Sequence, residues 1–375
     1  MSLQILPYAQ PAVPAVREFN QRLLAGGALA DQQFPETPDP GWMPGMELFL
    51  AVEDSLVRGG YILRRQPFSV AGATLQAAHY RLPLSEGIIN RSYAMLGLRM
   101  VRDALSREPR LYALGMGGWD KPLPQMLKRL GWTMCTVPFH FKVVHPGRFL
   151  RHIRALRTSQ LRRTALDAAA FTGAGWLGMK ALGLTRRLPS GPFDLAPRFA
   201  PWADEVWERS RPAYALVAQR DAATLDQLYP PSDPRFLRVR AAGGWAVLLD
   251  TQMQNHKQFG DMRVGSIVDC LAPPESATAI IRACASLLEQ RGVDLIVSNQ
   301  LHSAWSRALR ESAFRAGPSN YLLALSPALA EAAGVGPDRS LKSCERMRPQ
   351  AGVGKLKLAP PFHINRGDGD GPIHL

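Results

Sequence analysis

The chain has 375 residues, 46% of them hydrophobic and 20% charged, which suffices for two domains with separate cores and excludes a disordered protein. Its 32 glycines and 31 prolines imply many turns between short elements and disfavour a helical bundle or a coiled coil. The net charge of +14 favours an anionic partner such as a nucleotide cofactor, a nucleic acid or a phospholipid surface.

The opening segment MSLQILPYAQPAVPAV has no basic stretch followed by a long apolar one, so a cytoplasmic location is expected. From Met46 to Ser85 short β-rich runs suggest an antiparallel meander, with turns at Glu53-Asp54 and Arg58-Gly59-Gly60. Gly87 to Leu105 has amphipathic helical spacing, Arg110–Gly115 reads as a buried strand, Pro122–Leu130 as a helix stopped by Gly131, and Val137–Val144 as a closing strand. The second half repeats this order: strands at Trp245–Asp250 and Arg263–Leu271, a helix at Pro274–Arg291, a strand at Asp294–Ser298, a helix at His302–Phe314 and a final strand at Tyr321–Leu325. The chain thus divides into a first unit (1–145), a linker (146–201), a second unit (202–330) and a tail (331–375).

The basic excess lies in residues 1–190, which hold 24 basic and 12 acidic side chains. In the linker, Arg148, Arg151, Arg154 and Arg157 recur every third residue, and Ala165–Leu184 is nearly apolar with basic residues at both ends. Such a segment suits either a helix packed on a domain with a solvated arginine face or a peripheral membrane contact through residues 148–187. Cys135, Cys270, Cys284 and Cys344 form no Cys-x-x-Cys pair and no metal spacing with histidine, so neither zinc nor a disulfide framework is expected. In the tail, Asp368 and Asp370 are too few for calcium, and a turn-rich cap near a substrate is the expectation.

The chemistry concentrates in HYRLPLSEGIINRSYAMLGL, His79–Leu98, a strand running through a turn into a helix, where unpaired backbone N–H groups and the helix dipole favour an anion. Together with LYALGMGGWDKPLPQMLKRLGWTMCTVPF, this stretch resembles the GNAT acyl-CoA N-acyltransferase superfamily; MLKRLGW, Met126–Trp132, is similar to its late helix ending in Leu-Gly-aromatic. RALRESAF at Arg307–Phe314, after DLIVSNQ, resembles a second and more divergent copy, and the tandem form is similar to FemAB-type transferases. The resemblance implies an α/β (α+β) fold of two tandem GNAT-like units, each a mixed, mostly antiparallel sheet flanked by helices. It also implies acetyl-CoA or another acyl-CoA as co-substrate, with no metal.

Carried onto this sequence, the cofactor loop would use Ser85, Gly87, Ile88, Ile89 and Asn90 through backbone N–H groups and Arg91 through its charge. One glycine stands where the superfamily has two. Its tyrosine general acid would fall at Leu127 and Leu309, which cannot give a proton, so another group must act. The candidates are His79 and Glu86 in the first unit and Asp269 and His302 in the second, with Asn299 and Gln300 at a strand end as substrate-binding residues. Each also has a structural reading: a satisfied strand histidine, a first-turn acid, a carboxylate paired with Arg263, a helix cap. The expected activity is acyl transfer from acyl-CoA to an amino group of a small-molecule or glycan acceptor, such as an amino sugar or cell-envelope polysaccharide precursor. The alternatives are a FemAB-like aminoacyl-tRNA-dependent transferase and a non-catalytic binding protein. A nucleic-acid partner is not expected, because no basic patch with interleaved aromatics marks a path.

Overall fold

A computed structural model describes residues 3–38, 45–157, 159–172, 175, 177–178, 188–335 and 361–369. The chain forms two compact units, Met1–Cys135 with Leu322–Glu345, and Thr136–Tyr321 with Arg346–Leu375. The first carries β1 (Gln4–Pro7), β2 (Met46–Glu53), β3 (Leu56–Val70), β4 (Ala73–Ser85), β5 (Leu111–Gly115) and β6 (Thr133–Thr136). The second carries β7 (Phe139–Val143), β8 (Phe193–Leu195), β9 (Leu216–Ala218), β10 (Leu237–Ala241), β11 (Gly244–Gln252), β12 (Arg263–Leu271), β13 (Leu295–Asn299) and β14 (Arg315–Gly317). The chain then returns to the first unit as β15 (Leu322–Leu325) and ends in the second with β16 (Phe362–His363).

The sheet orders are β1-β2-β3-β4-β5-β15-β6 and β14-β7-β13-β12-β11-β10-β8. In both, most pairs are antiparallel and one central pair, β4 with β5 or β12 with β13, is parallel across a helical crossover. Each half of the sequence supplies the strand that fills the place beside the other unit's fifth strand: β15 pairs with β5, and β7 with β13. The units therefore interleave along the chain where the sequence suggests consecutive segments. The pattern of LLAL or FHFKV specifies a buried strand, but it carries no information on which sheet receives it.

In the first unit, alternation on β2 and β3 sends Phe49, Ala51, Tyr61 and Leu63 toward Leu96, Met100, Val101 and Ala104 of the helix Leu96–Arg107 and Leu127 of the helix Pro122–Arg129. The opposite positions, Leu48, Leu50 and Ile62, pack on Val16, Phe19 and Leu23 of the helix Val13–Ala25. The meander is as expected, but its turns are not both where the sequence suggests. They fall at Asp54-Ser55 and Ala71-Gly72, all with positive φ, as tight hairpins require. Gly59 and Gly60 lie inside β3, where a Cβ on Gly60 would sit 2.4 Å from the Phe49 carbonyl oxygen. The glycines permit close strand approach and do not turn the chain.

In the second unit, Ile280, Ile281, Cys284 and Leu288 of the helix Ala277–Gln290 join Trp245, Val247, Ile296, Trp305 and Leu309 in one core. Beyond the other face, Phe149, Leu150 and Ile153 of the linker pack with Met253, Met262, Val264, Leu295 and Val297. Of the linker arginines, Arg157 pairs bidentately with Asp167 at 2.6 and 2.8 Å, and Arg154 donates to Asn255. The start of the linker is thus part of a core, and no helix among the described residues is long and apolar enough to cross a membrane. The apolar run expected over 165–184 is described through residue 172 and at 175, 177 and 178; its remainder lies outside the described residues, as do Cys344 and Asp370.

Candidate functional site

In the first unit β4 and β5 pair in parallel only at Ala78↔Leu111 and His79↔Tyr112. Beyond His79 the two strands part, leaving Tyr80–Ser85 and Ala113–Gly115 without mutual pairing. The same stretch of β4 carries a bulge: the register with β3 slips between Ile62↔Arg81 and Gly60↔Leu84, and Leu82 adopts φ of 45°. Pro83, which has no N–H to place in a ladder, suits that irregularity. A left-handed leucine is strained, and here the strain bends one lip of the opening.

At the vertex the His79 ring stacks on Tyr112, with centroids 4.8 Å apart and planes 8° apart. Arg64 and Gln66 of β3 donate to the Tyr112 hydroxyl at 3.2 and 2.5 Å. All four are buried, and Arg81 lies buried two residues beyond His79 on the same face of β4. Sequence reasoning found His79 and missed Arg64, Gln66 and Tyr112. The signal was present as polar residues at a spacing of two inside the apolar strand YILRRQPF.

From Ser85 the chain makes two short turns, Glu86–Ile88 and Arg91–Tyr93, before the helix Leu96–Arg107. The sequence suggests one helix from Gly87. Ser85 and Asn90 interrupt it by capping locally: Ser85 Oγ accepts from Gly87 N–H at 3.0 Å, and Asn90 Oδ1 accepts from Ser92 N–H at 3.1 Å. The N–H groups of Ile89 and Asn90 donate to the Glu86 carbonyl. The donors of Gly87, Ile89 and Asn90, expected for a phosphate, are thus engaged inside the loop. The orphan donors of a helix start fall instead at Leu96, Gly97 and Leu98, between exposed Arg91 and Arg99. Ile88 is exposed. Glu86 is buried against Arg58 at 3.0 Å and Arg22 at 3.7 Å, a structural ion pair at the base of the loop.

In the second unit β12 and β13 pair in parallel from Val264↔Leu295 to Ile267↔Ser298, then part. Asp269 lies on the parted end and is fully buried. Its Oδ2 accepts from Arg220 Nε at 2.8 Å and the Tyr229 hydroxyl at 2.6 Å; its Oδ1 accepts from Cys270 N–H and Asn365 Nδ2, both at 2.9 Å. Arg220 also donates to Asp368 at 2.6 Å. The suggested partner Arg263 pairs with Asp250 instead. Six residues along an extended strand separate it from Asp269 by about 20 Å, beyond side-chain reach. Burial disfavours the Arg220 charge, but Asp269 and Asp368 outweigh it and hold the guanidinium protonated. Burial, with Asp269 beside it, raises the Tyr229 phenol well above its ordinary range.

His302 caps the helix Ser303–Glu311, its Nδ1 accepting from Ala304 N–H at 3.3 Å, and burial, reinforced by Arg307, lowers its pKa to about 4. It stands edge-on to Tyr214, which also meets His363 of the tail. Gln300 Nε2 donates to Cys270 Sγ at 3.3 Å, and Asn299 Nδ2 to the Pro138 carbonyl at 3.4 Å, so neither caps that helix. The structure gathers Asp269, Gln300 and His302 around the tail and leaves His79 and Glu86 in the other unit. Leu127 and Leu309 are core residues. Arg238, in the basic stretch Leu228–Arg240, is spent on the carbonyls of Tyr229, Pro230 and Phe236. No group of three metal-ligating side chains occurs among the described residues.

A mixed sheet whose central parallel strands part beside a crossover helix is present twice, and the chain shares this fold with solved N-acyltransferases. Among solved structures the chain is similar to N-myristoyltransferase of Saccharomyces cerevisiae with bound myristoyl-CoA, at 9% identity and a TM-score of 0.51, covering 86% of this chain and 82% of that one. It is also similar to a GCN5-related N-acetyltransferase from Anabaena variabilis, at 8% identity and a TM-score of 0.50, covering 86% and 72%. No family model and no curated protein matches the sequence.

Proposed function

We propose that the protein is an acyl-CoA-dependent N-acyltransferase whose cofactor lies in the first unit. The observation that carries this reading is the parting of β4 and β5 beyond His79 and Tyr112, with the helix Leu96–Arg107 beginning near the far end of the open strand. The pyrophosphate would sit on the N–H groups of Leu96–Leu98, with Arg91 and Arg99 adding charge. From there Tyr80–Ser85 spans about 20 Å back to the vertex, a path comparable to a pantetheine arm. The thioester would then lie beside His79 and Tyr112. The acceptor nitrogen attacks the thioester carbonyl carbon, its proton passes to His79, and the C–S bond breaks to release the CoA thiolate, which takes that proton and leaves as the thiol. The acceptor class is an amine, with amino sugars and polysaccharide precursors the finer reading.

Thermal unfolding with acetyl-CoA, longer acyl-CoAs and CoA tests the reading. A ligand at 100 times its dissociation constant adds about 2.7 kcal/mol of stability. The expected shift is lost in Arg91→Glu/Arg99→Glu, both exposed positions, and no shift with any CoA contradicts the proposal.

A further inference from the structure

The second unit has the same parted strands as the first, but its opening holds part of its own chain. Phe362–His363 pairs in parallel with Leu216–Val217 of β9. The tail then runs past the end of β13, where Leu301 N–H donates to the Ile364 carbonyl at 3.0 Å and Gln300 bridges Asn365. On the opposite flank Asn365 Nδ2 reaches Asp269 of β12. Asn365 and Asp368 lock the turn reciprocally in a capping box, and Asp368 lands on buried Arg220. Gly367 is fitted so closely that a Cβ would lie 2.5 Å from both Asp269 Oδ2 and the Tyr229 hydroxyl. Ile364, Asn365 and Asp368 are each no more than 1% exposed.

We propose that residues 362–368 are the resident occupant of the second unit's opening, so that each chain binds a single acyl-CoA, in the first unit. The tail lies alongside the free end of β13 as an extended ligand would, and Asp368 supplies the anion that neutralises Arg220. Asp269 already accepts four hydrogen bonds, all from this unit. A pantetheine arm has neither space nor partners there unless the tail leaves, and its leaving would take Asp368 from buried Arg220 and Asn365 from buried Asp269. The inference rests on the acyl-CoA reading above for its stoichiometry, and on the tail contacts alone for its occupant.

Equilibrium dialysis of the full chain with labelled acetyl-CoA, combined with hydrogen exchange at Leu301, tests both parts. The expected result is one ligand per chain, none in Arg91→Glu/Arg99→Glu, and slow exchange at Leu301 unchanged by saturating ligand. Two ligands per chain, one that survives the double substitution, or fast exchange at Leu301 once ligand is added would overturn the proposal. Absence of all binding with Leu301 still slow would reject the acyl-CoA reading, and the single-site claim with it; fast exchange without ligand would reject the occupant itself.

Discussion

His140 and His302 are buried in the second unit, and both have pKa values lowered to about 4, first by burial and then by a neighbouring arginine, Arg310 or Arg307. Unfolded, each titrates near 6.5, so between that pH and about 4 the unfolded chain binds protons that the folded chain refuses. Stability is therefore present above pH 6.5 and lost as pH falls toward 4, by up to about 1.4 kcal/mol per pH unit for each histidine. Urea unfolding at pH 7.5 and pH 5 should show this fall, and replacing His302 by Asn, which also caps helices, should reduce its slope. A single sequence exposes little of such environments. Asp269 was legible as a carboxylate too costly to bury alone, but its partners Arg220, Tyr229 and Asn365 lie 49, 40 and 96 residues away. No local pattern points to them.

At the scale of elements, the sequence was legible wherever periodicity and punctuation agree. RVGSIVDCL is strand β12 with the expected limits, and the helix Pro122–Arg129 stops before Gly131, whose φ of 77° suits a left-handed end. It was less legible where short polar side chains compete with the backbone, as Ser85 and Asn90 do in delaying the helix to Leu96. The strands Phe193–Leu195 and Arg315–Gly317 were missed because three residues give too few alternations to count. Strand exchange has a direct consequence. A fragment of residues 1–145 lacks Leu322–Leu325, so Leu111–Gly115 keeps an exposed apolar edge. Such a fragment should aggregate on expression, and sedimentation should recover it as a soluble monomer only when a peptide of residues 318–335 is supplied. A stable monomer without that peptide would contradict the assigned pairing.

Across the whole molecule, two similar folds carry different contents. The first unit has a parted strand pair, a bulged lip, a helix start flanked by arginines and a polar vertex at His79 and Tyr112. In the second, the corresponding opening is filled by the tail on a saturated charge network. Release of free CoA thiol from acyl-CoA, followed with a panel of amino sugars, small amines and peptide N-termini, measures the proposed activity itself. The account expects release that depends on the amine and falls about 100-fold or more in His79→Gln while the acyl-CoA thermal shift persists. Release that ignores the amine, or that His79→Gln leaves intact, would contradict it.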